Sequence, residues 1–283
     1  MTNRHQKYII LTFLLLFFQF EILAQKIDTL VILHTNDTHS RIEAIPSNDK
    51  RNPNKGGYAL RYSHFQKIRS QYSNVMLFDA GDFLQGTPYY NYFGGKLEVQ
   101  LMNLMGYHAA TLGNHEFDNG IEKLAEILKL ARFKIISSNY DVSATILKKY
   151  VVPYYIYKVG KMRIGVIGLG VDPEGLIEDK NFEGIKYLDP ISTANRYADF
   201  LRKRKKCDLI VCLSHIGLDY EDDRPSDMEL AANSENIDII LGGHTHSLIE
   251  EKFFVKNMNN KNILITQNGS MGIRMSLIIN TVH

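Results

Sequence analysis

Five segments of the sequence place side chains that can bind metal ions directly after short apolar runs. In chain order they read "NDTH" at 36–39, "DAGD" at 79–82, "GNHE" at 113–116, "SH" at 214–215 and "GGHTH" at 242–246. Their carboxylate, amide and imidazole donors suit Zn, Mn, Fe or Ni, and no thiolate is among them. The sequence therefore predicts a metal site of mixed oxygen and nitrogen ligands.

Each segment alone also has an ordinary structural explanation. Asn114 and Asp118 are suitable helix caps, and a lone histidine such as His215 is more often a satisfied core residue. The two histidines of "GGHTH" are more specific, because residues two apart in extended chain point the same way. The signal is the recurrence of such residues after five different apolar runs.

The apolar runs themselves have the length and composition of buried β-strands, since they are short and rich in Val, Ile and Leu. The predicted strands are Leu30–His34, Val75–Phe78, Ala109–Thr111, Ile135–Ser137, Arg163–Gly168, Leu209–Leu213, Ile237–Leu241, Ile263–Thr266 and Met275–Asn280. Between them, helical spacing or capping residues predict helices over Gly57–Tyr72, Ile121–Ala131 and Ile191–Lys206. Strands that alternate with helices indicate an α/β protein with one continuous core.

In open α/β sheets, ligands bind beyond the carboxyl ends of the strands. We therefore expect the five segments to meet at one place. Together they offer about six to eight donors, more than a single four-coordinate Zn would use. Two ions that share a bridging carboxylate are the simpler interpretation, and such a pair clamps the attacking and leaving oxygens of a displacement at phosphorus. The zincin pattern is excluded, because it needs histidine at the position of Asn119.

Composition bounds the function further. The chain has 283 residues, 45% apolar and 23% charged, with a net charge of +2, which is typical of a globular protein. Such a balanced charge gives no case for nucleic-acid binding. A basic start, a thirteen-residue apolar stretch from Tyr8 to Phe20 and Ala24 before a polar residue predict a signal peptide over residues 1–24. The alternative is an uncleaved anchor, although the stretch is short for a span of about 20 residues.

The motif set "DTH", "GD", "GNHE", "SH" and "GGHTH" resembles that of the calcineurin-like metallophosphoesterases. The wording "LHTNDTHSRIE", "DAGDFLQGT", "LGNHEFDNG" and "IILGGHTHSLIEE" is similar to the 5′-nucleotidase / UDP-sugar hydrolase branch. The resemblance covers essentially all of residues 25–283, which we expect to form a single catalytic domain. It implies a four-layer α/β/β/α sandwich and two divalent metal ions, Zn, Mn or similar.

The resemblance also implies a role for each site residue. Asp37, His39 and His246 would bind the first ion, Asn114, His215 and His244 the second, and Asp82 would bridge them. His115 would face the phosphate, and would stabilise the transition state or protonate the leaving group. Asp118 would orient His115, while Glu116 has no assigned role. The implied nucleophile is a metal-bound hydroxide.

The sequence departs from the family's pattern in one respect. Full-length members of the branch carry a second, C-terminal domain that holds the nucleoside, and the sequence at hand stops at His283. Either a separate polypeptide supplies that domain, or leaving-group selectivity is low. The aromatic segment "TPYYNYF" at Thr87–Phe93 is equally compatible with a loop packed on the sheet and with a substrate-side or partner-side wall.

These observations predict an exported phosphohydrolase, periplasmic or extracellular and without a stable membrane anchor, that acts on a small phosphorylated substrate such as a nucleotide. Two alternatives stay open. One is hydrolysis of a cyclic phosphodiester or a nucleotide-sugar pyrophosphate, which the same metal centre would serve. The other is a non-catalytic subunit that pairs with a separate nucleoside-binding polypeptide; the full ligand set and the presence of both His115 and Asp118 argue against it.

Overall fold

The computed structural model describes residues 28–282. Its first sheet contains a parallel pair of apolar strands. This sheet has six strands in the order β14-β1-β2-β3-β4-β6, all parallel except the edge strand β14. Its strands are β1 (Asp28–Thr35), β2 (Asn74–Asp79), β3 (Ala109–Ala110), β4 (Lys134–Ile136), β6 (Val151–Val152) and β14 (Ser276–Val282).

A second six-stranded sheet has the order β12-β13-β11-β10-β8-β7, with a parallel centre and an antiparallel strand at each edge. Its strands are β7 (Tyr154–Val159), β8 (Met162–Gly170), β10 (Leu209–His215), β11 (Ile239–Leu241), β12 (Phe253–Lys256) and β13 (Asn262–Thr266). A separate two-stranded ribbon pairs β5 (Tyr140–Asp141) with β9 (Lys186–Tyr187).

The helices lie on the outer faces of the two sheets. They are α1 (Tyr58–Gln71), α2 (Pro88–Phe93), α3 (Lys96–Met105), α4 (Gly120–Leu128), α5 (Pro190–Asp199) and α6 (Asp227–Ala232). Short 3₁₀ turns cover His115–Phe117, Ile146–Lys149 and Asp179–Asn181, and a π-helical turn at Phe200–Arg204 continues α5.

Alternation along the strands explains the layers. In β1, Val31 and Leu33 join the core beneath α1 to α4, whereas Leu30 and Ile32 face the second sheet. The strands of the second sheet are likewise buried on both faces, and their outer side packs against α5 and α6. Three apolar layers between four layers of secondary structure give the expected α/β/β/α sandwich.

The structure confirms the nine predicted strands to within two residues at each end. It adds β5, β6, β7, β9 and β12, which are short or lie at sheet edges and lack a continuous apolar run. It also adds α2, α3 and α6. The segment "TPYYNYF" is thus a helix behind a Pro at its first turn, not a loop.

The predicted signal peptide, residues 1–24, lies outside the described residues. Within the described range 28–282, no helix combines the length and the apolar character that crossing a membrane requires.

Candidate metal centre

The parallel strands of each sheet end at the same level, so the loops that follow them meet. In the first sheet Thr35 lies opposite Asp79, and in the second Leu213 lies opposite Leu241. Backbone hydrogen bonds then join the first two loops, from Asp37 N to Gly81 O at 2.9 Å and from His39 N to Asp82 O at 3.0 Å. The expected convergence at the carboxyl ends is therefore present.

One group of donors contains Asp37, His39 and His246, whose candidate ligand atoms all lie within 4.8 Å of one another. Nε2 of His39 is 3.0 Å from Nε2 of His246, and the latter is 3.3 Å from Asp37 Oδ1. Asp37 is fully buried, whereas the side chain of His246 is 45% exposed. The group therefore has the spacing of a metal site and opens to solvent on the side of His246.

A second group contains Asp82, His215 and His244, again with donors within 4.8 Å. Nε2 of His215 is 3.0 Å from Asp82 Oδ2. Its Nδ1 lies 2.7 Å from the carbonyl oxygen of Ala80, which can only accept, so Nδ1 carries a proton and Nε2 faces the site. A backbone acceptor that fixes the tautomer in this way is typical of metal-binding histidines.

Asn114 contributes an atom that fits a cation better than a hydrogen bond. Its side chain is buried, at 6% exposure, and its Oδ1 accepts no hydrogen bond from any residue between 28 and 282. Buried polar oxygens are normally paired. The chain neighbours Gly113 and His115 both approach Asp82. An unpaired amide oxygen in this turn suits a divalent cation, so the residues present fit the expected pair of ions.

The backbone of the site is strained. Asp37, His39, Asp82, His244 and His246 all have positive φ, between 46° and 76°, although none is glycine. Such conformations cost of order 1–3 kcal/mol each and cluster at functional sites. Asp and His adopt positive φ more readily than most other residues, and five of the seven predicted ligand residues share this feature.

Electrostatics also favour a cation at this point. Burial alone would lower the pKa of His215, but the carboxylates of Asp82 and Asp37 raise it to about 10. Burial and the neighbouring His215 lower the pKa of His244 to about 4. The carboxylates of Asp82 and Asp37 therefore create a negative potential at this point, which favours a bound cation.

His115 and Asp118 form a separate pair at the edge of the donor groups. His115 Nδ1 is 3.0 Å from Asp118 Oδ2, and both side chains are about one-third exposed. The ring of His115 lies 5.4 Å from that of His39, centroid to centroid. The hydrogen bond with Asp118 is the main cause that raises the pKa of His115, to about 9. The pair thus lies beside His39 and outside both three-residue donor groups.

Glu116 is buried in the same turn, at 1% exposure. Its Oε2 accepts hydrogen bonds from Gly113 N at 2.6 Å and Asp82 N at 2.9 Å, and its Oε1 accepts one from Leu84 N at 3.2 Å. Burial and the Asp82 carboxylate raise the pKa of Glu116 to about 8, and the amide donors oppose that shift. The sequence did not indicate these contacts.

Two further polar residues at the site were missed, although both follow a predicted strand, Ile263–Thr266. Gln267 accepts from Thr245 Oγ1 at 3.0 Å and from Ser247 N, and donates to Gly243 O at 2.7 Å. It therefore holds the turn that carries His244 and His246. The signal available was the polar pair "QN" at a sixth strand end.

Asn268 supports the first donor group from the neighbouring position. Its backbone N donates to Asn36 Oδ1 at 3.0 Å, and Asn36 Nδ2 donates to Asp37 Oδ2 at 2.6 Å. Asn36 also donates to Gly269 O at 2.9 Å. This chain of contacts fixes the rotamer of Asp37, and it gives Asn36 a structural role beside that residue.

The aromatic segment is buried on one side and exposed on the other. Tyr90 is buried and receives a hydrogen bond from Asn119 at 2.7 Å. Tyr92 is 84% exposed and packs edge-on against Phe93, with ring centroids 4.8 Å apart. One face of α2 therefore belongs to the core, and the other faces solvent.

Gly113 leaves no room for a side chain, because a Cβ there would lie 2.2 Å from Asp82 Oδ1 and 2.6 Å from His215 Nε2. We expect Gly113→Ala to displace both donors and to weaken metal binding about tenfold or more. Isothermal titration with Zn²⁺ or Mn²⁺ would measure this. Gly94→Ala is the control: it adds only backbone strain, since nothing lies within 4 Å of its Cβ. Equal metal affinity in both variants would contradict the prediction.

Comparison with known proteins gives a consistent result. The family model described as calcineurin-like phosphoesterase matches residues 30–248. A snake venom 5′-nucleotidase of Gloydius brevicauda is 34% identical over 227 residues, 78% of this chain and 37% of its own length. An NAD 5′-nucleotidase of Haemophilus influenzae is 32% identical, over 80% of this chain and 37% of its own length. The chain thus spans well under half the length of these curated relatives.

Solved structures agree with the observed architecture. The 5′-nucleotidase precursor of Thermus thermophilus has a TM-score of 0.80 at 33% identity, covering 90% of this chain and 52% of that one. The calcineurin-like phosphoesterase YfkN of Bacillus subtilis has a TM-score of 0.74 at 26% identity, covering 89% of this chain and 85% of that one. The similarity extends over nearly all of the described residues.

Proposed function

Because the chain belongs to the calcineurin-like phosphoesterase family, we propose that it is a two-metal phosphohydrolase that cleaves phosphate monoesters of nucleotides. The observation that carries this proposal is the pair of three-residue donor groups, and the unpaired oxygen of Asn114 adds a further donor. His115 and Asp118 stand next to them as an acid–base pair. Donors and acid–base pair together are what ester hydrolysis at phosphorus requires.

We assign the roles as follows. One ion would be held by Asp37, His39 and His246, the other by Asn114, His215 and His244, and Asp82 would bridge both. When bound, the ions would supply Lewis-acid activation of water and of the phosphoryl oxygens.

The remaining work falls to the protein's own groups. His115 would approach the leaving-group oxygen and stabilise or protonate it. Its ring is partly exposed, and its Nδ1 contacts Asp118. Asp118, bonded to His115 Nδ1 at 3.0 Å, would orient the ring and hold the proton on that nitrogen. The exposed side of His246 would be the side of substrate entry.

The nucleotide as substrate is supported by relatives whose names specify 5′-nucleotidases. Since the chain spans well under half of the Gloydius and Haemophilus relatives, we treat leaving-group selectivity as a separate question. A panel of p-nitrophenyl phosphate, AMP, a cyclic nucleotide and UDP-glucose distinguishes monoester hydrolysis from the two diester or pyrophosphate alternatives. Preferred turnover of a diester or of the sugar nucleotide would redirect the proposal.

Metal dependence is the first test of the proposed activity. We expect the full chain, purified and loaded with Zn²⁺ or Mn²⁺, to hydrolyse p-nitrophenyl phosphate or AMP. Excess EDTA should abolish turnover, and added metal should restore it, because a chelator can remove ions that are bound only by side chains. Absence of turnover on the whole panel under metal-loaded conditions would refute the catalytic proposal and leave a binding subunit.

We further propose that the protein is exported, on the basis of the basic and apolar N-terminal sequence. Cell fractionation with N-terminal sequencing of the product would test this, and a product that begins near Gln25 is expected. A separate nucleoside-binding polypeptide remains an alternative for selectivity. It predicts that AMP turnover, but not p-nitrophenyl phosphate turnover, rises when a co-purifying protein is added back.

A further inference from the structure

We propose that Glu116 is a positioning residue that ties the loop of Asp82 to the loop of Asn114 and His115, and so sets the metal affinity of the centre. The proposal rests on the metal-binding part of the proposed function. It assigns Glu116 neither as a ligand nor as an acid–base group.

The contacts of the carboxylate carry this inference. Three backbone amides donate to it, and they come from two loops: Asp82 and Leu84 in the loop after β2, and Gly113 in the loop after β3. These amides lie beyond the strand ends, outside the pairing of the sheet. Glu116 therefore joins the two loops by hydrogen bonds, as backbone hydrogen bonds join the strands of the sheet.

Asp82 is held at both of its ends by the same turn. Its backbone N donates to Glu116 Oε2 at 2.9 Å, and its Oδ1 accepts from His115 N at 3.0 Å. Its φ of 55° is unfavourable for a residue with a Cβ. Two hydrogen bonds from one short turn thus hold a strained backbone and aim the carboxylate that is to bridge the ions.

The turn itself is anchored in the core. Glu116 lies in the 3₁₀ turn His115–Phe117, and Phe117 is fully buried, edge-on to Tyr140 and Phe182 with centroids 5.7 and 5.0 Å away. The buried Phe117 side chain thereby fixes the position of the Glu116 backbone. Both oxygens are then used by amides, which leaves the carboxylate without a free oxygen directed at the ions.

The design of variants separates positioning from charge. Glu116→Asp keeps the carboxyl group but is one methylene shorter, so it cannot reach both loops. Glu116→Gln keeps the length; its oxygen can still serve Gly113 and Asp82, but its NH₂ would face the N–H of Leu84. Glu122→Gln is the control, because Glu122 is exposed six residues further on and involves the same chemical change.

Two measurements on the full chain read out the role without using activity. We expect Glu116→Asp to lower the affinity for Zn²⁺ or Mn²⁺ by about 10–100-fold in titration calorimetry, as loss of a residue that supports metal ligands does. In the metal-free protein, hydrogen exchange of peptides over 80–86 and 111–116 should rise about tenfold or more. Glu116→Gln should lie between Glu116→Asp and the native protein, and Glu122→Gln should match the native protein.

The outcomes are distinguishable from a failure of the proposed function. If Glu116→Asp binds metal and exchanges like the native protein, the positioning role is refuted, whatever the enzyme hydrolyses. If exchange rises but metal affinity is unchanged, Glu116 only stabilises the fold and the proposal is also overturned. If metal affinity and exchange change as expected but the native chain hydrolyses nothing, the inference stands and the catalytic proposal falls.

Discussion

Asp82→Ala is expected to yield a folded protein that retains about one divalent ion or none, instead of about two. The reason is that the other six proposed ligands each serve one ion, whereas Asp82 would serve both. Its carboxylate lies 3.0 Å from His215 Nε2 and is buried, at 2% exposure. Loss of several kcal/mol of transition-state stabilisation corresponds to a fall in kcat of about 10³-fold or more.

Metal content by inductively coupled plasma mass spectrometry and kcat on p-nitrophenyl phosphate check this prediction. Circular dichroism must show that the fold persists. Asp82→Asn serves as the companion variant, since it keeps the volume and one oxygen and should lose less metal than Asp82→Ala. Retention of two ions per chain by Asp82→Ala would show that the bridging assignment is wrong.

His115→Ala has the opposite signature: kcat should fall by about 10²–10⁴-fold while metal content stays the same. His115 contacts Asp118 through Nδ1, and its ring is one-third exposed outside both three-residue donor groups. Its removal therefore takes away an acid–base group and no ligand. Metal loss in this variant would mean that His115 has been misassigned.

The leaving group separates the two roles considered for His115. Departure of p-nitrophenolate needs no proton, whereas the alkoxide of AMP does. If His115 protonates the leaving group, His115→Ala should impair AMP hydrolysis more than p-nitrophenyl phosphate hydrolysis. An equal loss on both substrates would favour transition-state stabilisation. Asp118→Asn should show the same pattern with a smaller loss, because Asp118 acts through His115.

Most of the strands could be predicted because a strand buried on both faces needs a continuous run of apolar residues in the sequence. In β8 and β10 nearly every residue is buried, and continuous apolar runs mark them. Strands β7 and β12 lie at sheet edges and are half-buried or exposed, so no such run marks them. Helix α2 was missed for a different reason, since its one buried side, at Tyr90, is too short to show a helical period.

The predicted ligand residues are brought together in the structure, and their roles remain predictions. They were recognisable because few side-chain types bind metals and because strand ends concentrate ligands in α/β folds. Gln267 and Asn268 also follow a strand, yet amide side chains are too common in turns to be singled out without the fold. Their contacts to the ligand loops appear only in three dimensions.

The sequence by itself determined the α/β class, the order of the strands along the chain, and the donor types that a metal centre would use. Each of these depends on neighbours in sequence, through apolar periodicity or residue chemistry. Only the tertiary structure decided how the loops are held. Glu116 meets Asp82 and Leu84 from more than thirty positions away, and the groups it binds are backbone amides, which every residue but proline possesses. No residue type at those positions records the contact, so the role of Glu116 emerged from the folded chain alone.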